Sequence, residues 1–135
     1  MLTTLFEETG TSAIVLSLEK LADLVGDPQE EIYRRLYSQY PDLQSLFVLD
    51  TDESVRGSML QTTLEFVLAF GNTGNVDAGG LTSWRSHHLE YGVEADVFIE
   101  FFKLTRDYVE ECLGSHWTES MSKEWREFLE KVERT

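Results

Sequence analysis

Two adjacent histidines, His87 and His88, are the side chains in this sequence best suited to metal chemistry. They lie in residues 81–93, which read LTSWRSHHLEYGV and form a short amphipathic stretch that ends near Gly92. Neutral imidazole is the commonest metal ligand among side chains. The alternative is an ordinary, partly buried histidine that hydrogen-bonds a backbone carbonyl. We therefore take His88 as a candidate metal ligand and ask which elements would position it.

Composition limits the kinds of function that this chain can have. Its 135 residues are 41% hydrophobic, which is enough for one buried core, and they carry a net charge of -14. That charge disfavours binding to nucleic acid or to an anionic membrane, because phosphate contacts need clustered Lys and Arg. Cys112 is the only cysteine, which excludes an internal disulfide and a cysteine-rich metal site. No secretory leader and no membrane-spanning run is recognised, so a cytoplasmic protein is expected.

Helical spacing of apolar residues runs through most of the chain, and no segment shows the alternation of a β-strand. Gly26, Pro41 and Gly114 are expected to end helices. We predict one all-α domain over residues 1–135, with six to eight helical pieces joined by short loops. The predicted helices cover residues 11–25, 28–40, 51–70, 81–93, 95–113 and 118 onward, with a short helical turn at 41–47 and a Gly-rich loop at 71–80.

Three separated motifs share their order and spacing with one family. They are IYRRLYSQYPDLQSLF at residues 32–47, RGSML at 56–60 and HLEYGV at 88–93. Together they resemble bacterial-type single-domain globins and the globin part of flavohaemoglobins. The resemblance implies a globin-like fold around a haem b pocket, with His88 as the proximal iron ligand. It also implies that Tyr33 lies over the distal side of the haem and that Phe47 packs flat on the porphyrin.

A flat apolar macrocycle needs an apolar slot, one strong axial ligand and few buried charges. His88 would supply the ligand, and the Tyr33 hydroxyl could donate a hydrogen bond to bound dioxygen, which carries partial negative charge. Tyr33 could instead be a core aromatic whose hydroxyl reaches a carbonyl. The expected slot is lined by Phe47, Leu60, Leu64, Val93, Phe98 and Phe102.

Two charged or titratable positions near the expected site have more than one interpretation. His87 is one residue from His88 and so points about 100° around the helix, toward solvent or a haem propionate. Arg56 stands where the family usually has Gln or His. It is expected either to swing outward to solvent or a propionate, or to stay over the iron and hold an oxygen-derived ligand. The cost of burying a guanidinium favours the outward orientation.

The function implied by the resemblance is reversible binding of oxygen or another diatomic gas, for transport or sensing, without an assigned catalytic residue. One alternative is a haem-free globin-fold protein that acts as a regulatory or interaction module. A further alternative is a nitric-oxide dioxygenase that uses a separate, external reductase. Phe98 stands where many relatives have a Tyr that supports the proximal histidine, which puts that enzymatic role in doubt.

Overall fold

The fold is entirely helical in the part of the chain that the computed structural model describes, residues 12–135. These residues form six α-helices and two 3-10 helices, with no β-strand among them. The all-α prediction is therefore confirmed. Residues 1–11, including the predicted start of the first helix at Thr11, lie outside the described range. The α-helices are α1 (Ala13–Val25), α2 (Gln29–Gln39), α3 (Ser54–Thr73), α4 (Ala78–Glu90), α5 (Ala95–Leu113) and α6 (Glu119–Arg134), and the 3-10 helices are Pro41–Phe47 and Gly114–His116.

Local sequence signals account for most of the helix ends. Thr118 caps α6, because its hydroxyl accepts a hydrogen bond from the backbone N–H of Met121. Asp27 accepts a hydrogen bond from the N–H of Gln29, at 3.0 Å, at the start of α2. Gly114, with φ 51°, ends α5 where the sequence predicts.

The predicted loop at residues 71–80 is wrong for most of its length. Helix α3 continues to Thr73 and α4 begins at Ala78, so only residues 74–77 are outside a helix. Gly71 lies inside α3, at the point where α1 crosses this helix at very close range. A Cβ atom on Gly71 would be 2.4 Å from Val15 Cγ2 and 2.8 Å from Ser12 Oγ. Gly71 thus permits close helix packing, although the Gly-rich composition of residues 71–80 is typical of a loop.

The beginning of α3 also differs from the prediction, which placed it at residue 51. The helix begins at Ser54, because Glu53 adopts the left-handed conformation, with φ 63°. Two apolar side chains of this helix, those of Val55 and Leu68, are exposed. The row that faces the core is Leu60, Thr63, Val67 and Phe70.

Helix α5 is the centre of the packing, because it contacts α1, α2, α4 and α6. Its buried side chains include Phe98, Phe102 and Val109. Helix α6 adds Trp125 and Phe128, which are fully buried. The arrangement brings α4, which carries both histidines of interest, against the first half of α5. Among residues 12–135 there is no helix with the length and apolar character needed to cross a membrane.

Candidate haem site

His88 lies on the inner side of α4, where the helix meets α5. Leu81 and Trp84 precede it on the same helical row, and Leu81 is fully buried. The His88 ring packs against Trp84, with ring centroids 5.0 Å apart, and against Phe98, at 5.3 Å. Apolar rings therefore fix the direction of this imidazole.

The hydrogen bonding of His88 determines which ring nitrogen is free. Nδ1 lies 2.9 Å from the backbone oxygen of Trp84. A carbonyl oxygen can only accept, so Nδ1 carries the proton and Nε2 of the neutral ring has an unshared electron pair. Burial lowers the pKa of His88, the bond to the Trp84 carbonyl partly offsets that effect, and the nearby His87 lowers the pKa further. The neutral ring, which is the form that binds metal, is thus favoured.

An apolar cavity of about 50 Å³ lies beside His88 and is lined by residues of five helical segments: α2, the Pro41–Phe47 helix, α3, α4 and α5. It adjoins a larger cleft of about 470 Å³ that opens toward the surface between α4 and the start of α3. Six residues line both spaces: Leu46, Phe47, Met59, Trp84, His88 and Val93. The cavity is further lined by Tyr33, Leu36, Leu43, Thr63, Val97, Phe98, Phe101 and Phe102. The mouth of the cleft adds Leu49, Asp50, Val55, His87 and Tyr91.

Tyr33 borders the cavity, but its hydroxyl is already engaged. The hydroxyl donates to the backbone oxygen of Arg56, at 3.0 Å. The ring is buried and packs edge-on to Phe47, with centroids 5.8 Å apart. Burial raises the pKa of Tyr33 well above its ordinary value. This is the arrangement of a core aromatic whose hydroxyl reaches a carbonyl.

Arg56 is held by Asp50, and it lines neither the cavity nor the cleft. Its Nε donates to Asp50 Oδ2 at 3.0 Å, and its Nη2 donates to the Asp50 backbone oxygen at 2.8 Å. The guanidinium carbon lies 5.7 Å from the centre of the Phe47 ring. Arg56 therefore neither extends freely into solvent nor enters the cavity. The desolvation cost that favours an outward orientation is offset here by an ion pair with a nearly buried carboxylate.

The structure brings together most of the residues that the sequence singled out. His88, Tyr33, Phe47, Val93, Phe98 and Phe102 line the cavity, and His87 lies at the mouth of the cleft, where it is exposed. Leu60 and Leu64 do not line either space. Met59 and Thr63 line the cavity in their place, one residue earlier along α3.

The start of α3 explains this one-residue offset. Asp50 accepts hydrogen bonds from the backbone N–H groups of Val55 and Arg56, both at 3.0 Å, and so fixes the rotation of the first turn. Side chains four residues apart lie on one helix face, which places Val55, Met59 and Thr63 along the pocket. Sequence reasoning also missed Trp84, although its position four residues before His88 is a signal that could have identified it.

The family model of the globins matches residues 30–135 of the chain. The chain belongs to the globin family. No curated protein and no solved structure gives a significant match. The match covers every residue that lines the cavity, from Tyr33 in α2 to Phe102 in α5. Globins generally hold haem and bind diatomic gases through it.

The residues of this globin fit such a group. The donor set is one neutral imidazole, and haem iron needs only one protein ligand on its proximal side. The surrounding side chains are apolar, and the adjoining cleft has a volume within the range of about 300–1,000 Å³ found for ligand sites. Among residues 12–135, no three His, Cys, Asp or Glu side chains converge as a multidentate metal site. The His88 ring is supported by the Trp84 carbonyl and packs against Phe98.

Proposed function

We propose that this protein is a bacterial-type, single-domain globin that holds haem b on His88 and reversibly binds a diatomic gas. The observation that carries the proposal is the His88 imidazole, whose proton is committed to the Trp84 carbonyl while its second nitrogen is free beside an apolar cavity. When bound, haem supplies an iron centre with one open coordination position. The protein residues hold the imidazole neutral, orient it and exclude water. Oxygen binding, transport or sensing follows from this chemistry.

The way in which the chain would hold its proximal ligand supports a binding role rather than a catalytic one. A carboxylate that accepted the Nδ1 proton of His88 would make the imidazole more electron-donating. In this chain that nitrogen donates to a neutral backbone oxygen. We therefore favour gas binding over nitric-oxide removal, which would additionally need an external reductase.

One observation favours a second candidate, a haem-free globin that acts as an interaction module. The cavity next to His88 measures only about 50 Å³, and the rings of Trp84, Phe101 and Phe102 are part of its lining. In that case the apolar pocket would be closed by the protein's own aromatic rings. Haem uptake separates the two candidates directly.

The experiment is titration of the purified, haem-free protein with hemin, followed by visible absorption. We expect a Soret band that saturates at one hemin per chain for the wild type. The variant His88→Ala should lose that band or shift it strongly. His87→Ala is the matched control, because it removes the neighbouring exposed imidazole and should bind hemin as the wild type does. Free imidazole should restore the spectrum of His88→Gly, because it can replace the missing ligand.

The absence of a Soret band in the wild type would reject the haem proposal and favour the haem-free candidate. If the Soret band were unaltered in His88→Ala and lost in His87→Ala, the iron ligand would be His87 rather than His88.

A further inference from the structure

The most exposed apolar side chains of the described chain are concentrated around the mouth of the cleft between α4 and the start of α3. Within residues 12–135, the six with the largest exposed fractions all lie in two short segments, 46–55 and 89–91: Leu46, Val48, Leu49, Val55, Leu89 and Tyr91. Single apolar residues scattered over a surface are ordinary, whereas a concentrated patch marks an interaction site. We propose that this mouth surface, together with the acidic residues around it, docks a basic amphipathic helix of a partner protein.

The mouth surface faces solvent rather than the cavity. Four of its six residues line the cleft of about 470 Å³: Leu46, Leu49, Val55 and Tyr91. Leu49 is 90% exposed and Tyr91 is 64% exposed, so most of each side chain is open to a partner. The other two residues, Val48 and Leu89, line neither the cavity nor the cleft. The inference therefore goes beyond the proposed haem function and does not depend on it.

The charged residues beside the mouth surface form an acidic rim. Residues 46–55 and 87–96 contain no Lys or Arg, and their exposed acidic residues are Asp52, Glu53, Glu90, Glu94 and Asp96. Arg56 follows the first segment, but it is mostly buried and paired with Asp50, and Arg85 of α4 does not line the cleft. His87 is the titratable base at the mouth, and its Nδ1 lies 3.9 Å from a Glu90 carboxylate oxygen. An apolar centre inside a charged rim is the general anatomy of a protein–protein interface.

The acidic rim decides which kind of partner fits. A second copy of this chain would bring the same rim and a net charge of -14 against its own sign, which opposes self-association. An anionic membrane would be repelled for the same reason. A helix with one apolar and one basic face satisfies both parts of the surface, because its apolar face fits an apolar groove and its Lys and Arg side chains meet the rim.

The first measurement locates a probe on the full chain as purified. The probe is a synthetic helical peptide with leucines along one face and lysines along the other. A zero-length carbodiimide joins a peptide lysine to the carboxylate that it contacts, and mass spectrometry identifies that residue. Every α-helix of the protein carries acidic residues, so the distribution of links is informative. We expect links at Asp52, Glu53, Glu90 and Glu94, and few on α6.

The second measurement tests the apolar centre through the affinity of the same peptide, followed by fluorescence anisotropy of a dye on the peptide. Leu49→Ser should weaken binding by about tenfold, because a leucine side chain is no longer buried in the complex. Leu49 is so exposed that its replacement should not disturb the fold. Leu24→Ser is the matched control, since Leu24 is an exposed leucine of α1 outside the cleft, and it should change affinity by less than about twofold.

The third measurement separates the rim from the overall charge of the chain. Glu90→Gln with Glu94→Gln removes two charges from the rim, whereas Glu127→Gln with Glu130→Gln removes two exposed charges from α6. Both pairs change the net charge equally. The rim pair should weaken peptide binding by about threefold or more at low salt, and the α6 pair should weaken it by less than about twofold.

Three results would show that the proposal is wrong: links concentrated on α6, equal losses of affinity for the two pairs, or unchanged affinity in Leu49→Ser. Equally tight binding of a peptide with glutamates in place of the lysines would exclude selection by charge. A dimer of the chain that Leu49→Ser dissociates, measured by analytical ultracentrifugation, would assign the mouth surface to a second copy instead. Hemin uptake tests the haem proposal separately from all of these.

Discussion

Nδ1 of His88 lies 2.9 Å from the backbone oxygen of Trp84, one helical turn earlier on α4. This single hydrogen bond sets the tautomer of the ring, leaves Nε2 free and fixes the side chain relative to its own helix. The ring of Trp84 then packs on the ring of His88, so the same residue supplies both the acceptor and the apolar contact. A chain with this arrangement has a preorganised imidazole before any cofactor binds.

The first prediction concerns the pH dependence of the haem-free protein. The folded-state pKa of His88 lies below its ordinary value of 6.5, mainly because of burial. As pH falls below about 6.5, the unfolded chain therefore binds more protons at His88 than the folded chain does. The contribution of neutral His88 to stability is complete above about pH 6.5 and decreases below it. Urea unfolding at about pH 7.5 and about pH 5.5 should show a smaller loss of stability for His88→Leu than for the wild type.

His87→Leu is the control for this experiment, since His87 is exposed and its removal relieves no burial. It should keep most of the wild-type pH dependence, because burial, the largest cause of the lowered His88 pKa, remains, and only the smaller contribution of the His87 charge is removed. Equal pH dependence in His88→Leu and the wild type would show that the His88 ring is not buried in the neutral form.

A second prediction follows from the carboxylate of Asp50 at the start of α3. Burial would raise the pKa of Asp50, but hydrogen bonds from the N–H groups of Val55 and Arg56 and from the Arg56 guanidinium outweigh this effect and lower it. The stabilisation is therefore complete above the ordinary pKa of 3.8 and is lost as pH falls through the lower, folded-state value. Asp50→Asn should reduce the thermal midpoint at neutral pH.

The difference between Asp50→Asn and the wild type should be smaller at a pH below 3.8, the ordinary pKa of this carboxyl, than at neutral pH, because the stabilisation by the charged carboxylate decreases there. Asp42→Asn, on the exposed surface of the Pro41–Phe47 helix, should match the wild type at both pH values. A midpoint for Asp50→Asn equal to that of the wild type at neutral pH would contradict the anchoring role of this carboxylate.

Two glycines provide a third, paired prediction about helix packing. Gly71→Ala places a Cβ atom 2.4 Å from Val15 Cγ2 and 2.9 Å from Ile14 Cγ2, so α1 and α3 must separate. We expect a loss of about 1–3 kcal/mol in the free energy of unfolding. Gly79→Ala, near the start of α4, meets no atom closer than 4.0 Å and should be neutral or stabilise by up to about 1 kcal/mol. Chemical denaturation of the two variants measures both values.

If Gly71→Ala were as stable as Gly79→Ala, the close crossing of α1 and α3 would not exist in solution.

The fourth prediction concerns the hydrogen bond between α1 and α6. Trp125 Nε1 donates to Ser17 Oγ at 2.9 Å, and both residues are fully buried. Ser17→Ala leaves the indole N–H without an acceptor and should cost about 1–3 kcal/mol of unfolding free energy. Ser38→Ala, on the exposed side of α2, is the control and should change stability by less than about 0.5 kcal/mol.

Guanidinium chloride unfolding followed by Trp fluorescence measures these differences. A stability of Ser17→Ala within the range of the control would mean that the indole finds another acceptor.

Much of this fold could be predicted from the sequence because the signals are local. Helical spacing identified α2, α5 and α6, and Gly26, Pro41 and Gly114 marked helix ends close to where the structure has them. The prediction of a loop at residues 71–80 was wrong because a Gly-rich composition does not reveal whether a glycine forms a turn or permits a close helix crossing. Gly71 serves the crossing, and only the neighbouring α1 makes that evident.

For the candidate site, the sequence by itself determined the helix that carries His88, the aromatic character of the pocket and the resemblance to globins. Tertiary structure alone decided the rotation of α3, which faces Met59 rather than Leu60 toward the cavity. It also decided that the Tyr33 hydroxyl and the Arg56 guanidinium are engaged elsewhere. The physical reason is that a polar side chain bonds whichever partner the packing brings within about 3 Å. For Tyr33 that partner is 23 residues away in the sequence.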